Sequence, residues 1–295
     1  MTNTLLTDGW DYHATETERL ASELEAAAAT PIAAEDLIPF ARLGLHTIGE
    51  HLEDWPRARR LAERLLAGRV PDAETAKAWA HLWVARLLAG DPAGAAEAEL
   101  AFLRAGSDFR AGVIEARFML VAALVGCGRT AEATALYGAA LGLARGLGEA
   151  APHRAIAVAS NNLASDLLEA ASRTDEEAAL MVVAADAAHD FWLKCGNWQN
   201  EERALYLKAL VANALGEPDD ALGHADAALA VIAANGAAPV DAAFLRLARA
   251  QALNLKGEAA ASAAALALSD AAAAGWDDPG LRDWYASERT RAIGS

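Results

Sequence analysis

The sequence is poor in aromatic residues (6%), has only 2 cysteines and 9 prolines, and carries far fewer basic than acidic groups. Each shortage excludes something. Lys and Arg number 25 against 41 Asp and Glu, a net charge of −16. No basic stripe is available to neutralise phosphates, so nucleic acid is not an expected partner. Cys127 and Cys195 form no CxxC pair and no metal-ligand spacing, which points to buried, reduced thiols in a cytoplasmic protein. The longest apolar runs, such as Met181–His189, break well before the roughly 18 residues of a membrane span, so no membrane is expected as a partner. The first twenty residues have no basic segment followed by an apolar core and do not read as a signal peptide.

What is present is alanine. Hydrophobic residues make up 54% of the chain, and with so few aromatics alanine supplies most of the excess. Alanine loses no side-chain entropy in a helix, and its small size lets helices approach closely. β-branched runs are few, so the expected class is all-α. The first helix is expected over 15–30, where Thr15-Glu16-Thr17-Glu18 has the form of a capping box and Thr30-Pro31 the form of a stop.

From about Glu35 a unit recurs: an apolar helix, a tight turn, and a helix with small residues every three or four positions. The turns are His51–Pro56, Gly90–Ala93, Gly128–Ala131, Ser172–Asp175, Gly216–Asp219 and Gly257–Ala259. Glycine suits the left-handed end of one helix and proline the first turn of the next. A small residue follows each turn (Ala58, Ala95, Ala133, Ala178, Ala221, Ser262), at successive spacings of 37, 38, 45, 43 and 41 residues. Recurrence on this scale marks stacked repeats, because a lone helix pair cannot bury its apolar face.

Particular residues give the units a family likeness. Trp79-Ala80-His81-Leu82 supplies a W-x2-L, with Trp83 where a small residue is usual. Leu120 and Leu124, then Ala133, Tyr137 and Ala140, follow the L-G-x2-Y and A-x3-F-x2-A slots. Asn161-Asn162-Leu163-Ala164 with Leu167 looks like the first helix of a kinesin-light-chain style of repeat, and Ala221, Ala225 and Ala228 keep the small positions of a later unit. The chain thus resembles the tetratricopeptide repeat family. The resemblance implies one domain over 1–295: a right-handed α-α superhelix of about six helix pairs over 36–270, an N-terminal helix, and a polar C-terminal capping helix over 278–293. Gly146–Pro152 reads either as a hinge between halves or as a slightly long loop between repeats.

No catalytic grouping stands out. There is no HExxH, no Walker loop and no GxSxG. His46 and His51 lie five apart, which on an α-helix turns them about 140° from one another. No metal, cofactor or catalytic site is therefore expected, and the chain is not read as an enzyme. What the resemblance implies is a concave groove lined by first helices, in which a protein or peptide lies. That places His81 and Phe118 in a mostly apolar stretch beside Lys77, Ala80, Val84, Leu87, Leu88, Met119, Ala122 and Val125. Further along it places a polar row of Asn161, Asn162, Ser165, Arg203, Tyr206, Asn213, Gln251 and Asn254, where amide side chains could clamp a peptide backbone or merely solvate an open face. Asn162 and Arg203 match a carboxylate clamp only in part, because the flanking lysines are missing. The acidic surface either is simply solvated or favours a basic partner by long-range steering. Alongside the interaction module stand a regulatory sensor of a small ligand or signalling peptide, as in some bacterial relatives of the family, and a self-assembling homo-oligomer.

Overall fold

Glycine and proline chemistry at the turns sets where the helices start and stop. The computed structural model describes residues 2–106 and 108–293, and all regular structure among them is helical. The α-helices are α1 (Thr2–Tyr12), α2 (Thr17–Ala27), α3 (Ala34–Gly44), α4 (Trp55–Leu66), α5 (Ala76–Leu88), α6 (Pro92–Ala105), α7 (Phe109–Gly126), α8 (Thr130–Leu147), α9 (His153–Glu169), α10 (Asp175–Cys195), α11 (Trp198–Ala214), α12 (Pro218–Asn235), α13 (Pro239–Leu255), α14 (Ala259–Ala273) and α15 (Pro279–Ile293). A π-helical turn, Leu45–His51, continues α3, and a short 3₁₀ turn, Gly148–Ala150, ends α8. The chain divides into two compact units, Met1–Pro152 and His153–Ser295. The division falls at the end of the Gly146–Pro152 segment.

The turns lie where the sequence predicts them. Gly90, Gly128, Gly216 and Gly257 have φ of 79°, 68°, 73° and 77°, the left-handed conformation that glycine adopts without a Cβ clash. At the equivalent turn after the π segment the residue is Glu53, with φ 54°. Asp54 and Asp91 cap the following helices by accepting from the Arg57 and Gly94 amides at 2.9 and 3.0 Å. Thr174 and Glu177 form a reciprocal capping box at the start of α10. Of the small residues after the turns, Ala58, Ala95, Ala133, Ala221 and Ser262 are buried and Ala178 is half-buried.

The N-terminal unit departs from expectation at its start. α1 precedes the anticipated first helix, and the Thr15–Glu18 box does not form. Thr15 and Thr17 instead hydrogen-bond back to the Tyr12 and His13 carbonyls, and Glu16, at the N-cap of α2, makes no side-chain cap. α2 is held to α4 by Arg57, which reaches Glu18 and Glu25 at 2.9 Å each. Two glycines admit close packing around the π turn. A Cβ on Gly44 would lie 2.6 Å from Leu61, and one on Gly49 would lie 2.6 Å from the Trp55 ring. Trp55 in turn donates its indole N–H to the Cys127 Sγ at 3.0 Å, which fastens the start of α4 to the end of α7. Beyond these elements α5 packs on α6 and α7 on α8. The cysteines are less enclosed than expected: Cys127 is half-buried and Cys195 exposed.

In the C-terminal unit α9 packs on α10, α11 on α12 and α13 on α14, while α11 also touches α9 and α13. Alanines make the contacts close: Leu205, Ala209, Ala225, Ala228, Ile232, Leu245 and Ala248 form one buried cluster across α11, α12 and α13. Ser262 and Ser269 of α14 donate to the Ala250 and Ala243 carbonyls at 2.8 and 2.7 Å, so these buried hydroxyls are satisfied. α15 closes the unit. Its Tyr285 packs on Phe244, Leu247 and Ala273 and hydrogen-bonds Ser269 and Asp270 at 2.8 Å each, and Arg289 pairs with Asp270 at 2.9 Å.

Candidate functional site

Part of the anticipated lining of the N-terminal unit is core. Ala80, His81, Val84 and Phe118 are all buried, because α3 packs against α5 and α8 against α7. Phe118 stands edge-on to Tyr137 of α8, with centroids 5.2 Å apart. His81 has no partner for Nδ1, and burial, with Arg42 and Lys77 nearby, lowers its pKa to about 4, so it is neutral at physiological pH. Neither His81 nor Phe118 is a groove residue. Leu87, Leu88, Met119 and Val125 are half-buried, and Lys77 and Ala122 are exposed.

In the C-terminal unit the polar row separates into three kinds of position. Asn162, Arg203 and Asn254 are exposed, and Asn161 and Ser165 half-buried. Arg203 turns toward Asp241 of α13 at 3.3 Å. Asn213 is buried, and its amide donates to the Ala248 carbonyl at 2.9 Å, so it ties α11 to α13 and is a correction to the groove assignment. Tyr206 and Gln251 are the two members that the structure brings together, in one cleft of about 200 Å³.

The cleft lies along the first helices of the pairs and is closed on one side by α15. Leu168 of α9, Leu210 and Ala214 of α11, and Leu247 and Ala248 of α13 give it an apolar floor. Tyr206, Gln251, Arg173, Glu288 and Arg291 supply its polar groups. Arg173 is fixed by donating to the Leu167, Leu168 and Ala170 carbonyls at 2.7 to 3.1 Å. Arg291 pairs with Glu288 one turn earlier at 3.2 Å. Burial, then the nearby Glu288 carboxylate, raises the Tyr206 phenol well above its ordinary pKa, so it is a neutral hydroxyl at all physiological pH. Chemically, this arrangement can receive an apolar side chain and hydrogen-bond the groups that flank it.

Sequence reasoning missed three things here. The polar side of α15 read as a solvated cap, yet Glu288 and Arg291 line the cleft. Glu202 is fully buried on α11, 3.5 Å from Arg203, with neither carboxylate oxygen hydrogen-bonded. Burial and then Asp241 push its pKa up to about 7. In the N-terminal unit His13, His46 and His51 stand together, each offering a ligand atom within 4.8 Å of the others. Reading 45–51 as an α-helix set His46 and His51 apart, whereas the π winding sets them face to edge with their Nε2 atoms 3.1 Å apart. Among the described residues these three are the His, Cys, Asp or Glu side chains grouped closely enough to share a metal ion.

No protein-family model matches the chain, and no curated protein is similar to it. Among solved structures it is similar to the crystal structure of BtubC (BKLC) from P. vanneervenii, at 16% identity over 90% of this chain and 94% of that one, with a TM-score of 0.47. A likeness this slight assigns nothing to the present chain. Among the described residues no helix is long and apolar enough to cross a membrane.

Proposed function

We propose that this protein is a non-catalytic binding module, a divergent tetratricopeptide-like solenoid acting in the cytoplasm, whose C-terminal unit holds a segment of a protein partner in the Tyr206–Gln251 cleft. The six pairs in this reading are α3 with its π turn and α4, α5 and α6, α7 and α8, α9 and α10, α11 and α12, and α13 and α14. Supporting it are the helix-pair contacts and the buried small residues after the turns. The observation that carries the function is the cleft itself: an apolar floor from α9, α11 and α13, lined also by an aromatic hydroxyl, an amide, two guanidinium groups and the Glu288 carboxylate. A volume of about 200 Å³ is below the roughly 300–1,000 Å³ of small-molecule sites. It fits a side-chain anchor of a peptide better than a whole metabolite, which favours the interaction module over a small-ligand sensor. The net charge of −16 steers cationic segments toward the protein. At the cleft Arg291 is paired with Glu288 and Arg173 with backbone carbonyls, so the apolar floor with Tyr206 and Gln251 is what holds the anchor.

Affinity selection of a displayed random-peptide library on the intact chain tests this. Enriched peptides are expected to share a large apolar residue at one position. Their binding is expected to fall at least about tenfold in the Tyr206→Ala, Gln251→Ala double variant, the size of effect of a central interface anchor. No enrichment, or peptides indifferent to that change, would count against the cleft.

A further inference from the structure

We propose that His13, His46 and His51 form a binding site for one divalent transition-metal ion of the imidazole-preferring class, zinc foremost. The site begins with backbone winding. A π-helix places residues i and i+5 over one another, and single π turns concentrate at functional sites. Over Leu45–His51 this stacks His46 and His51, whose rings meet at 4.6 Å with Nε2 atoms 3.1 Å apart. His13, just after α1, brings its ring to 5.0 Å from His46 and 5.2 Å from His51.

The outer contacts are those a metal-binding histidine uses. His46 Nδ1 lies 2.6 Å from the Glu50 carboxylate, and His13 Nδ1 lies 2.6 Å from the Trp10 carbonyl. An acceptor on Nδ1 fixes the tautomer, leaves Nε2 as the lone-pair donor and raises its basicity, which is the carboxylate–histidine–metal pattern. Two of the three rings are so oriented. Ligand nitrogens on a tetrahedral zinc with Zn–N near 2.05 Å sit about 3.3 Å apart. The His46 and His51 Nε2 atoms, hydrogen-bonded to one another at 3.1 Å, already stand at that separation, so an ion takes the place of the proton they share, and the full set lies within 4.8 Å. Trp10, 5.3 Å from the His46 ring, walls one side, with the Arg42 guanidinium on that indole. Three nitrogen ligands leave a fourth position for water or a partner's group. An ion there would also fasten the end of α1 to the π turn.

The test uses the full chain without a histidine purification tag, stripped with chelator and titrated with Co²⁺ and then Zn²⁺. One Co²⁺ per chain is expected, with visible ligand-field bands of a low-coordinate site that Zn²⁺ abolishes. His51→Gln and His46→Gln are each expected to weaken binding by more than tenfold. Glu50→Gln is expected to weaken it about tenfold, the usual cost of losing an outer-shell acceptor. His224→Gln is expected to change nothing. Circular dichroism identical to the parent shows that each variant is folded. Absence of one-to-one binding by the parent chain, or binding that persists in folded His46→Gln and His51→Gln chains, overturns the proposal.

Discussion

The side-chain amide of Asn213 donates to the Ala248 carbonyl at 2.9 Å, a buried polar tie between α11 and α13. It joins two first helices 35 residues apart, across the alanine contacts that bring them close. Replacing Asn213 with Ala removes the donor and leaves a small void. We expect a loss of about 1–2 kcal/mol in urea unfolding, the net worth of one buried hydrogen bond plus lost packing. Affinity for selected peptides should stay unchanged, because the residue does not face the cleft.

Glu53 occupies a left-handed conformation where four other turns have glycine. A left-handed non-glycine residue costs about 1–2 kcal/mol, offset in part by the greater entropy glycine loses on folding. Glu53→Gly should therefore raise stability by about 0.5–1 kcal/mol, read as a higher denaturation midpoint with unchanged slope.

Gly49 has the opposite sensitivity. A methyl group there meets the Trp55 ring at 2.6 to 3.0 Å. Gly49→Ala is expected to destabilise by about 1–3 kcal/mol, the range for overpacking. Because Trp55 holds Cys127, near-ultraviolet circular dichroism and tryptophan fluorescence should change with it.

The two units should respond to pH in opposite directions at two buried groups. The fold keeps His81 neutral, with its pKa lowered to about 4, so the stability it contributes is present above pH 6.5 and is lost as pH falls toward 4. The fold keeps Glu202 protonated, with its pKa raised to about 7, so its contribution is present below pH 4.5 and is lost as pH rises through 7. Each effect amounts to at most about 3 kcal/mol. His81→Gln should flatten the acid loss. Glu202→Gln should be more stable than the parent at pH 8 and gain nothing at pH 4. Urea midpoints at pH 4, 5.5, 7 and 8 check both signs.

The helix pairs were legible because their signals are local. Gly90-Asp91-Pro92 and Gly216-Glu217-Pro218 specify a left-handed end and a first turn without reference to the rest of the chain. The site was less legible because its signals are not local. Asn213 reads as a groove amide until its partner, 35 residues on, is known. Glu288 and Arg291 read as solvent-facing until α15 packs on α13. The Thr15–Glu18 pattern fits a capping box, yet both threonine hydroxyls turn back to carbonyls at the end of α1, a helix the periodicity did not disclose. The histidines were set apart by assuming 3.6 residues per turn, whereas the winding of 45–51 is π. Tyr206 and Gln251, which line one cleft, lie on the first-helix face that the family resemblance implies.

The most direct measurement of the binding account is hydrogen exchange by mass spectrometry on the intact chain, with and without a library-selected peptide. The account predicts slowed exchange in α11, α13 and α15 around Tyr206, Gln251 and Arg291, and unchanged exchange throughout residues 2–106. Protection confined to α10, α12 or the N-terminal unit would contradict it.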